Sequence, residues 1–308
     1  MNAAAFFDQV LDHLELGFPA EAIGRLMVML DLAVDDSANL GNVRAALRAH
    51  PLSELLERDP VVAAAAQGDR GDRINRMVSL IDSGLAGAGS TKTTAVLANA
   101  LAESAFYRSV RARVRHSSAM LNQAWQAGRS IAVLGGTFQS EFASLIGRDL
   151  SNLTIAEVDA SRTAELAAHL GASATIVHGA PAAFLDAAAR SCERFDLIYF
   201  PRVLESADAA QAAALFARAA RVMAPGGSIV APGFLANRIG RGWQQVCLDW
   251  QVRDHAATAL DAAMATGLLT GRTISDSAGC FAWRGMARAT GNHQRSQLCI
   301  QMGGNLER

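Results

Sequence analysis

Lysine is almost missing from this chain: Lys92 is the only one in 308 residues. Arginine carries the rest of the positive charge, and Lys plus Arg (28) nearly balance Asp plus Glu (29). That balance argues against a general electrostatic grip on nucleic acid, which needs a surplus of cations facing the phosphates. The bias toward arginine reads as codon composition. Aromatic residues are few, at 6%, while alanine is abundant, which favours helices over a sheet-only fold. The four cysteines, Cys192, Cys247, Cys280 and Cys299, lie far apart with no C-x-x-C, and the seven histidines are scattered. Neither a disulfide framework nor a metal site follows from such spacing, and apolar neighbours predict buried, reduced thiols. No apolar run approaches about 18 residues, so no membrane-spanning helix is expected. Asp8 and Asp12 interrupt the apolar start, which excludes a signal-peptide core. These absences predict a cytoplasmic protein with a small-molecule substrate and no metal, nucleic acid or membrane partner; a homodimer is left open.

What is present divides into two patterns. Up to about residue 127 every periodic stretch is helical. Phe6, Phe7, Val10, Leu11 and Leu14 recur at helical spacing, as do Ile23, Leu26, Met27, Leu30 and Val34. Gly17-Phe18-Pro19 separates these two helices, and Pro19 suits a first helical turn. Asp36–Asn39 is a further break, Pro51 opens another helix, and Gln67–Asp72 and Gly84–Ser90 read as joints. A long helix is expected over 94–126. Gly87, Gly89 and Lys92 superficially suggest a phosphate loop, but Thr91 occupies the required glycine position and no strand precedes it.

From residue 130 the period changes. Strands are expected near 130–135, 153–158, 174–178, 195–200 and 228–232, with helices near 139–149, 162–170, 181–191 and 208–223 between them. This alternation predicts an α/β fold with a doubly wound parallel sheet, whose strands end on one rim. A helix near 244–266 and two late strands, near 270–276 and 280–288, suggest an antiparallel hairpin at the sheet edge. The first strand runs into Gly135-Gly136-Thr137 and the second approaches Asp159, an order that points to a nucleotide-like ligand at the carboxyl edge of the sheet.

Four segments carry a family resemblance. They are Val133-Leu134-Gly135-Gly136-Thr137, Glu157-Val158-Asp159-Ala160-Ser161, Phe195-Asp196-Leu197-Ile198-Tyr199-Phe200, and the helix–turn–strand segment around Pro225-Gly226-Gly227. Together they resemble the class I S-adenosylmethionine-dependent methyltransferases over roughly residues 128–290. The resemblance implies a seven-stranded Rossmann-like sheet (128–308) with an all-helical N-terminal lid (1–127). It also implies S-adenosyl-L-methionine as cofactor. Gly135, Gly136, Thr137 and Glu141 would lie at its first loop, and Asp159 and Ala160 at the ribose. Gly179 and Ala180 would lie at adenine, and Phe200 and Pro201 at the reacting centre. Thr137 or Phe138 stands where the family carries a second glycine, and His178-Gly179-Ala180 lacks its adenine-binding acid.

A narrower resemblance rests on Ala231–Asn237 and on Leu248-Asp249-Trp250-Gln251-Val252-Arg253-Asp254. These resemble bacterial enzymes that methylate the carboxylate of a 3-hydroxy fatty acid. Methyl transfer to a small molecule, with a carboxylate as candidate acceptor, is the implied reaction. Tyr107, His178 and Tyr199 are the catalytic candidates, and Arg111, Arg202, Asn237 and Trp243 the substrate-positioning ones. Tyr199 has core packing as its other role, and Arg111 and Arg113 have surface pairing with Glu103. Two rival readings stand beside this one. Attack on the aminocarboxypropyl chain would release methylthioadenosine, and a non-catalytic binding subunit would need no acceptor.

Overall fold

Capping and turn residues decide where the elements of this chain begin and end. The computed structural model describes residues 3–67, 70–84, 92–136, 138–256, 258, 261, 269–275 and 281–288. They fall into two compact units, residues 1–112 with 237–251 and residues 113–236 with 252–308. The division differs from a boundary at 127/128 in two ways: the first cut falls at 112/113, and residues 237–251 return to the helical unit.

Unit 1 contains α1 (Ala3–Glu15), α2 (Pro19–Asp35), α3 (Ser37–Arg48), α4 (Pro51–Leu56), α5 (Pro60–Ala65), α6 (Arg70–Asp82) and α7 (Lys92–Ala102). It also contains the first part of α8 (Ala105–Gln126). The predicted faces are the buried ones: Phe7, Val10 and Leu14 on α1, and Ile23, Leu26, Met27, Leu30 and Val34 on α2. Gly17 takes φ 86° and lets Phe18 N–H reach the His13 carbonyl at 2.8 Å, which closes α1 before Pro19 opens α2. The long helix expected over 94–126 is two helices. Ser104 breaks it, its hydroxyl accepting the Tyr107 N–H at 3.3 Å as an N-cap does. A groove of about 500 Å³ opens on α1 and α2, lined by Phe6, Glu21, Gly24, Arg25, Val28, Met29 and Leu32.

Unit 2 carries the sheet. Its strands are β1 (Ile131–Leu134), β2 (Leu153–Glu157), β3 (Thr175–His178), β4 (Phe195–Tyr199) and β5 (Met223–Phe234). They lie parallel in the order β3-β2-β1-β4-β5. Helices α9 (Ala160–Leu170), α10 (Pro181–Arg190), α11 (Val203–Ser206) and α12 (Ala209–Val222) connect them. Strand β6 (Leu269–Ser275) pairs antiparallel with β7 (Phe281–Arg288), and β7 pairs antiparallel with β5. β1 is buried at all four residues, as a central parallel strand covered on both faces should be. Phe200 and Phe216 meet edge to face beneath the sheet, 5.4 Å between centroids.

Two helices expected from periodicity are different objects. After β1 the chain forms a 3-10 segment, Gln139–Leu145, not an α-helix over 139–149. Glu141 reaches back to the Phe138 N–H, and Ile146 turns extended before Gly147 at φ 75°. Within the stretch 244–266 the short helix α13 (Arg241–Val246), which belongs to unit 1, comes first; residues 247–254 are not helical, 258 and 261 are, and 257, 259, 260 and 262–266 lie outside the described residues. Cys247 caps α13, Asp249 follows at φ 44°, and the Trp250 N–H turns back onto the Gln244 carbonyl. Leu248–Asp254 itself is not helical. The Cys192 thiol is exposed, not buried as its neighbours suggested, whereas Cys247 is a half-buried residue whose thiol is pushed above its usual range by burial. Cys280, Cys299 and the joint 85–90 lie outside the described residues.

Candidate functional site

The order β3-β2-β1-β4-β5 fixes where a ligand crevice can form. Leaving β1, the chain builds β2 and β3 to one side, then crosses to build β4 and β5 on the other. Connections diverge above β1 and β4, and in open α/β sheets such a switch point opens a crevice at the carboxyl ends of the strands. Three loops border it here: Gly135-Gly136 after β1, Val158-Asp159 after β2, and Phe200-Pro201-Arg202 after β4.

Gly135 and Gly136 take φ of 82° and 71°. A side chain on either would be strained by conformation and crowded as well. A Cβ on Gly135 would lie 3.1 Å from Pro181 Cγ, and one on Gly136 3.2 Å from Arg202 Cδ. The Gly135 N–H is bound by the Ala156 carbonyl. The Gly136 N–H points to Glu157, whose Oε2 accepts it at 3.2 Å. Glu157 Oε1 also accepts the N–H groups of Val158 (2.8 Å) and Asp159 (3.2 Å). This carboxylate, 2% exposed, ties the β1 and β2 loops together. Beside it Val158 is 55% exposed.

Asp159, the acid read from sequence as the ribose clamp, has a different local task. It is the N-cap of α9, with Oδ1 accepting the N–H groups of Ser161 (2.8 Å) and Arg162 (3.2 Å). The acid at the end of the strand, against the glycine turn, is Glu157. Sequence reading passes over it because the apolar run of the second strand stops at Asp159, although Glu157, 21 positions after Gly136, stands nearer the usual spacing of about 20. The available signal was the S/T/D/N-cap rule, which assigns Asp159 to the helix that follows.

Behind the crevice lies a buried polar network within unit 2. Arg113 Nη1 donates to Glu205 Oε1 at 2.8 Å, and Nη2 donates to the Pro201 carbonyl. Its guanidinium stands 4.7 Å over the Phe138 ring. Tyr199 donates to Glu141 Oε1 at 2.9 Å, and its hydroxyl lies 2.8 Å from the Ser117 hydroxyl. Burial pushes the Glu141 carboxyl above its usual range, against the opposing pull of Arg113. Burial acts the same way on Glu205, but Arg202 and Arg113 outweigh it and hold that carboxyl below the usual range. Tyr199 is raised well above a normal phenol, first by burial and then by Glu141.

These positions revise several sequence expectations. Glu141 is fully buried and spent on Tyr199 and Phe138, so it does not line a cofactor surface. Tyr199 is a member of that network, its hydroxyl held on both sides, and is not presented as a catalytic group. Phe200 is core, although Pro201 brings its carbonyl to Arg113. Arg113 pairs with Glu205, not with Glu103. Gly179 donates its N–H to the Glu157 carbonyl, while Ala180 and Ala160 are exposed at the starts of α10 and α9. His178 is exposed at the end of β3, its Nε2–H donating to the Val158 carbonyl at 2.9 Å. Thr137 lies outside the described residues.

The remaining candidates belong to unit 1. Burial, reinforced by Asp59, raises the Tyr107 phenol well above its ordinary range, which makes it a poor base. Neither the Tyr107 hydroxyl nor the Trp243 indole nitrogen has a hydrogen-bond partner of normal geometry. Arg111 donates to the Ala102 carbonyl, and Asn237 is exposed. Among the described residues, no group of three His, Cys, Asp or Glu side chains could hold a metal ion. No helix among them is long and apolar enough to cross a membrane.

No family model matches the sequence, and no curated protein does. Solved structures do align with the chain. A protein described as a possible exported protein from Bordetella parapertussis aligns with a TM-score of 0.51 at 15% identity, over 76% of this chain and 87% of that one. The mitomycin 7-O-methyltransferase MmcR aligns with a TM-score of 0.47 at 17% identity, over 93% and 98%. The N-methyltransferase NodS from Bradyrhizobium japonicum WM9 aligns with a TM-score of 0.39 at 17% identity, over 58% and 98%. At 15% identity the likeness to the first of these is one of fold alone.

Proposed function

We propose that unit 2 binds S-adenosylmethionine in the crevice above β1 and β4, and that the protein transfers its methyl group to a small molecule. The observation that carries this reading is the Glu157 carboxylate set against a positive-φ glycine pair at the switch point. The residues suit such a ligand. Glu157 Oε2 accepts one N–H and keeps a lone pair for a ribose hydroxyl. The exposed Val158 offers an apolar face beside it for adenine. The glycine turn lets the ligand approach the backbone without a Cβ in the way. The family resemblance of the four segments points to the same cofactor.

The sulfonium supplies an electrophilic methyl carbon, so the chain's own work is alignment and exclusion of water. The acid–base groups favour an acceptor that arrives ionised. The Tyr199 hydroxyl is held by Glu141 and Ser117, and burial disfavours its ionisation. A carboxylate acceptor needs no general base, whereas an alcohol or amine would benefit from one. A small-molecule carboxylate is therefore the acceptor class we favour, in line with the resemblance to fatty-acid carboxyl methyltransferases.

Calorimetric titration tests the cofactor site. S-Adenosylhomocysteine should bind the wild type, and Glu157→Gln should weaken it about 10- to 100-fold, the range for losing a hydrogen bond to a charged group. Asp159→Ala should bind within about threefold of wild type while losing about 1 kcal/mol of stability, the value of an N-cap. No heat with wild type at about 1 mM ligand, where even weak binding registers, would reject the reading. Turnover that releases methylthioadenosine in place of S-adenosylhomocysteine would reject methyl transfer while keeping the cofactor.

A further inference from the structure

Arg202 is only half used by the fold. It follows β4, and its aliphatic stem lies against the glycine turn: a Cβ on Gly136 would come within 3.3 Å of Arg202 Cβ as well as 3.2 Å of Cδ. Its guanidinium carbon stands 5.4 Å from the Phe138 ring centroid. Nε donates to Glu205 Oε2 at 3.0 Å, and Glu205 is itself fixed by Arg113 at 2.8 Å. Stem, ring and Nε thus set the plane of the guanidinium. The two terminal nitrogens have no hydrogen-bond partner among the described residues, and the side chain keeps 20% of its surface exposed. A guanidinium held this way is a preordered fork for a carboxylate, and little side-chain freedom is left to lose on binding.

We infer that Arg202 binds the amino-acid carboxylate of the sulfonium ligand. The inference rests on the S-adenosylmethionine reading and adds the ligand's orientation to it. Glu157 approaches Gly136 from the β2 side, and Arg202 approaches it from the β4 side. A ligand laid across the turn meets an anion at one end and a cation at the other. Ribose hydroxyls donate to the anion and the carboxylate accepts from the cation. The reverse orientation sets two carboxylates against each other, which is repulsive at any dielectric. The charge pattern across one glycine therefore selects a single direction for the ligand.

Two ligands that differ only at the proposed contact provide the test. S-Adenosylhomocysteine carries the amino-acid portion, whereas 5′-methylthioadenosine keeps the nucleoside and sulfur without it. Arg202→Met retains the stem against Gly136 and Phe138 and removes the fork. Calorimetry should show S-adenosylhomocysteine weakened about 10- to 100-fold, as for a lost charge-assisted bidentate pair, with methylthioadenosine changed by less than about twofold. Unaltered methylthioadenosine binding also reports that the variant is folded. If that variant does not fold, Arg202→Lys carries the test, and its preference for S-adenosylhomocysteine should drop about 3- to 10-fold, because a point charge replaces the fork. Equal weakening of both ligands, or no weakening of either, overturns the assignment to Arg202. A wild type that binds neither ligand fails differently, since it removes the nucleoside reading itself.

Discussion

Replacing Arg113 by Met should lower the stability of unit 2 by about 3–5 kcal/mol, the usual cost of removing one partner from a buried ion pair. For a unit of this size that corresponds to a fall in Tm on the order of 10 °C. The guanidinium is 2% exposed and serves the Glu205 carboxylate, the Pro201 carbonyl and the Phe138 ring together. It is also the cation that pulls down the buried Glu141 carboxyl. Methionine keeps a stem over Phe138 but leaves Glu205 with Arg202 as its remaining arginine partner. The deficit should depend on pH. The Glu141 carboxyl is already raised in the folded state, so it costs stability as pH climbs through its window above 4.5. Without Arg113 that window widens upward. The Glu205 carboxyl is depressed, so its stabilisation is complete above 4.5 and disappears as pH falls through the folded value. Without Arg113 there is less of it to lose. The Glu141 effect makes the Tm gap between variant and wild type narrower at pH 5 than at pH 7.5, and the Glu205 effect narrows it further only below pH 4.5. Adding Glu141→Gln, which keeps an acceptor for Tyr199, should recover about 1–3 kcal/mol as coupling energy. Melting curves that keep the same gap at both pH values, with additive single and double variants, would remove the charged network from this account.

The sequence revealed the strands more readily than the chemistry at their ends. β1 to β4 lie within a residue or so of their expected limits, because short β-branched runs bounded by glycine and polar residues have few other ways to bury themselves. β5 begins earlier than expected, at Met223. Gly227 permits this, since a Cβ there would lie 3.0 Å from the Phe195 carbonyl oxygen of the neighbouring strand. Helix lengths were less legible. The break at Ser104 and the turn at Asp249 after α13 depend on single residues inside stretches whose apolar period continues. The site was harder again. Gly135 and Gly136 could be read from the chain, since only a backbone need places glycine there. Glu157 and Asp159 compete for one role two residues apart, and the choice turns on where α9 begins. The Arg113–Glu205 pair spans 92 positions, so local pattern carries no trace of it. Burial makes such a pair costly when broken, and a surface reading of Arg113 from helical spacing misses that.

Gly242 should be the most sensitive glycine of unit 1. It lies in α13, where a Cβ would sit 2.1 Å from the Leu30 carbonyl carbon and 2.2 Å from its oxygen. Those atoms belong to the backbone of α2, so no side-chain rotation relieves the clash. The helices are drawn together by Asp31, whose carboxylate accepts the N–H groups of Gly240 at 2.8 Å and Gly242 at 2.6 Å. Burial raises the Asp31 carboxyl, and these two N–H groups, with Arg238 and Arg241, oppose that rise. Adding one methyl group forces α13 off α2 and loosens both hydrogen bonds. Gly242→Ala should therefore cost about 3 kcal/mol or more, at the upper end of overpacking penalties, and lower the Tm by roughly 6–12 °C. Gly24→Ala is the matched control. It lies in α2 with nothing within 4 Å of an added Cβ, so the same change should stabilise by up to about 1 kcal/mol through helix propensity. Differential scanning calorimetry of the two variants decides the matter. Opposite signs locate the constraint in the α2–α13 contact. A Gly242→Ala protein as stable as wild type would mean that α13 does not rest on the α2 backbone, and the account of unit 1 given by Asp31 and its two N–H donors would fall with it.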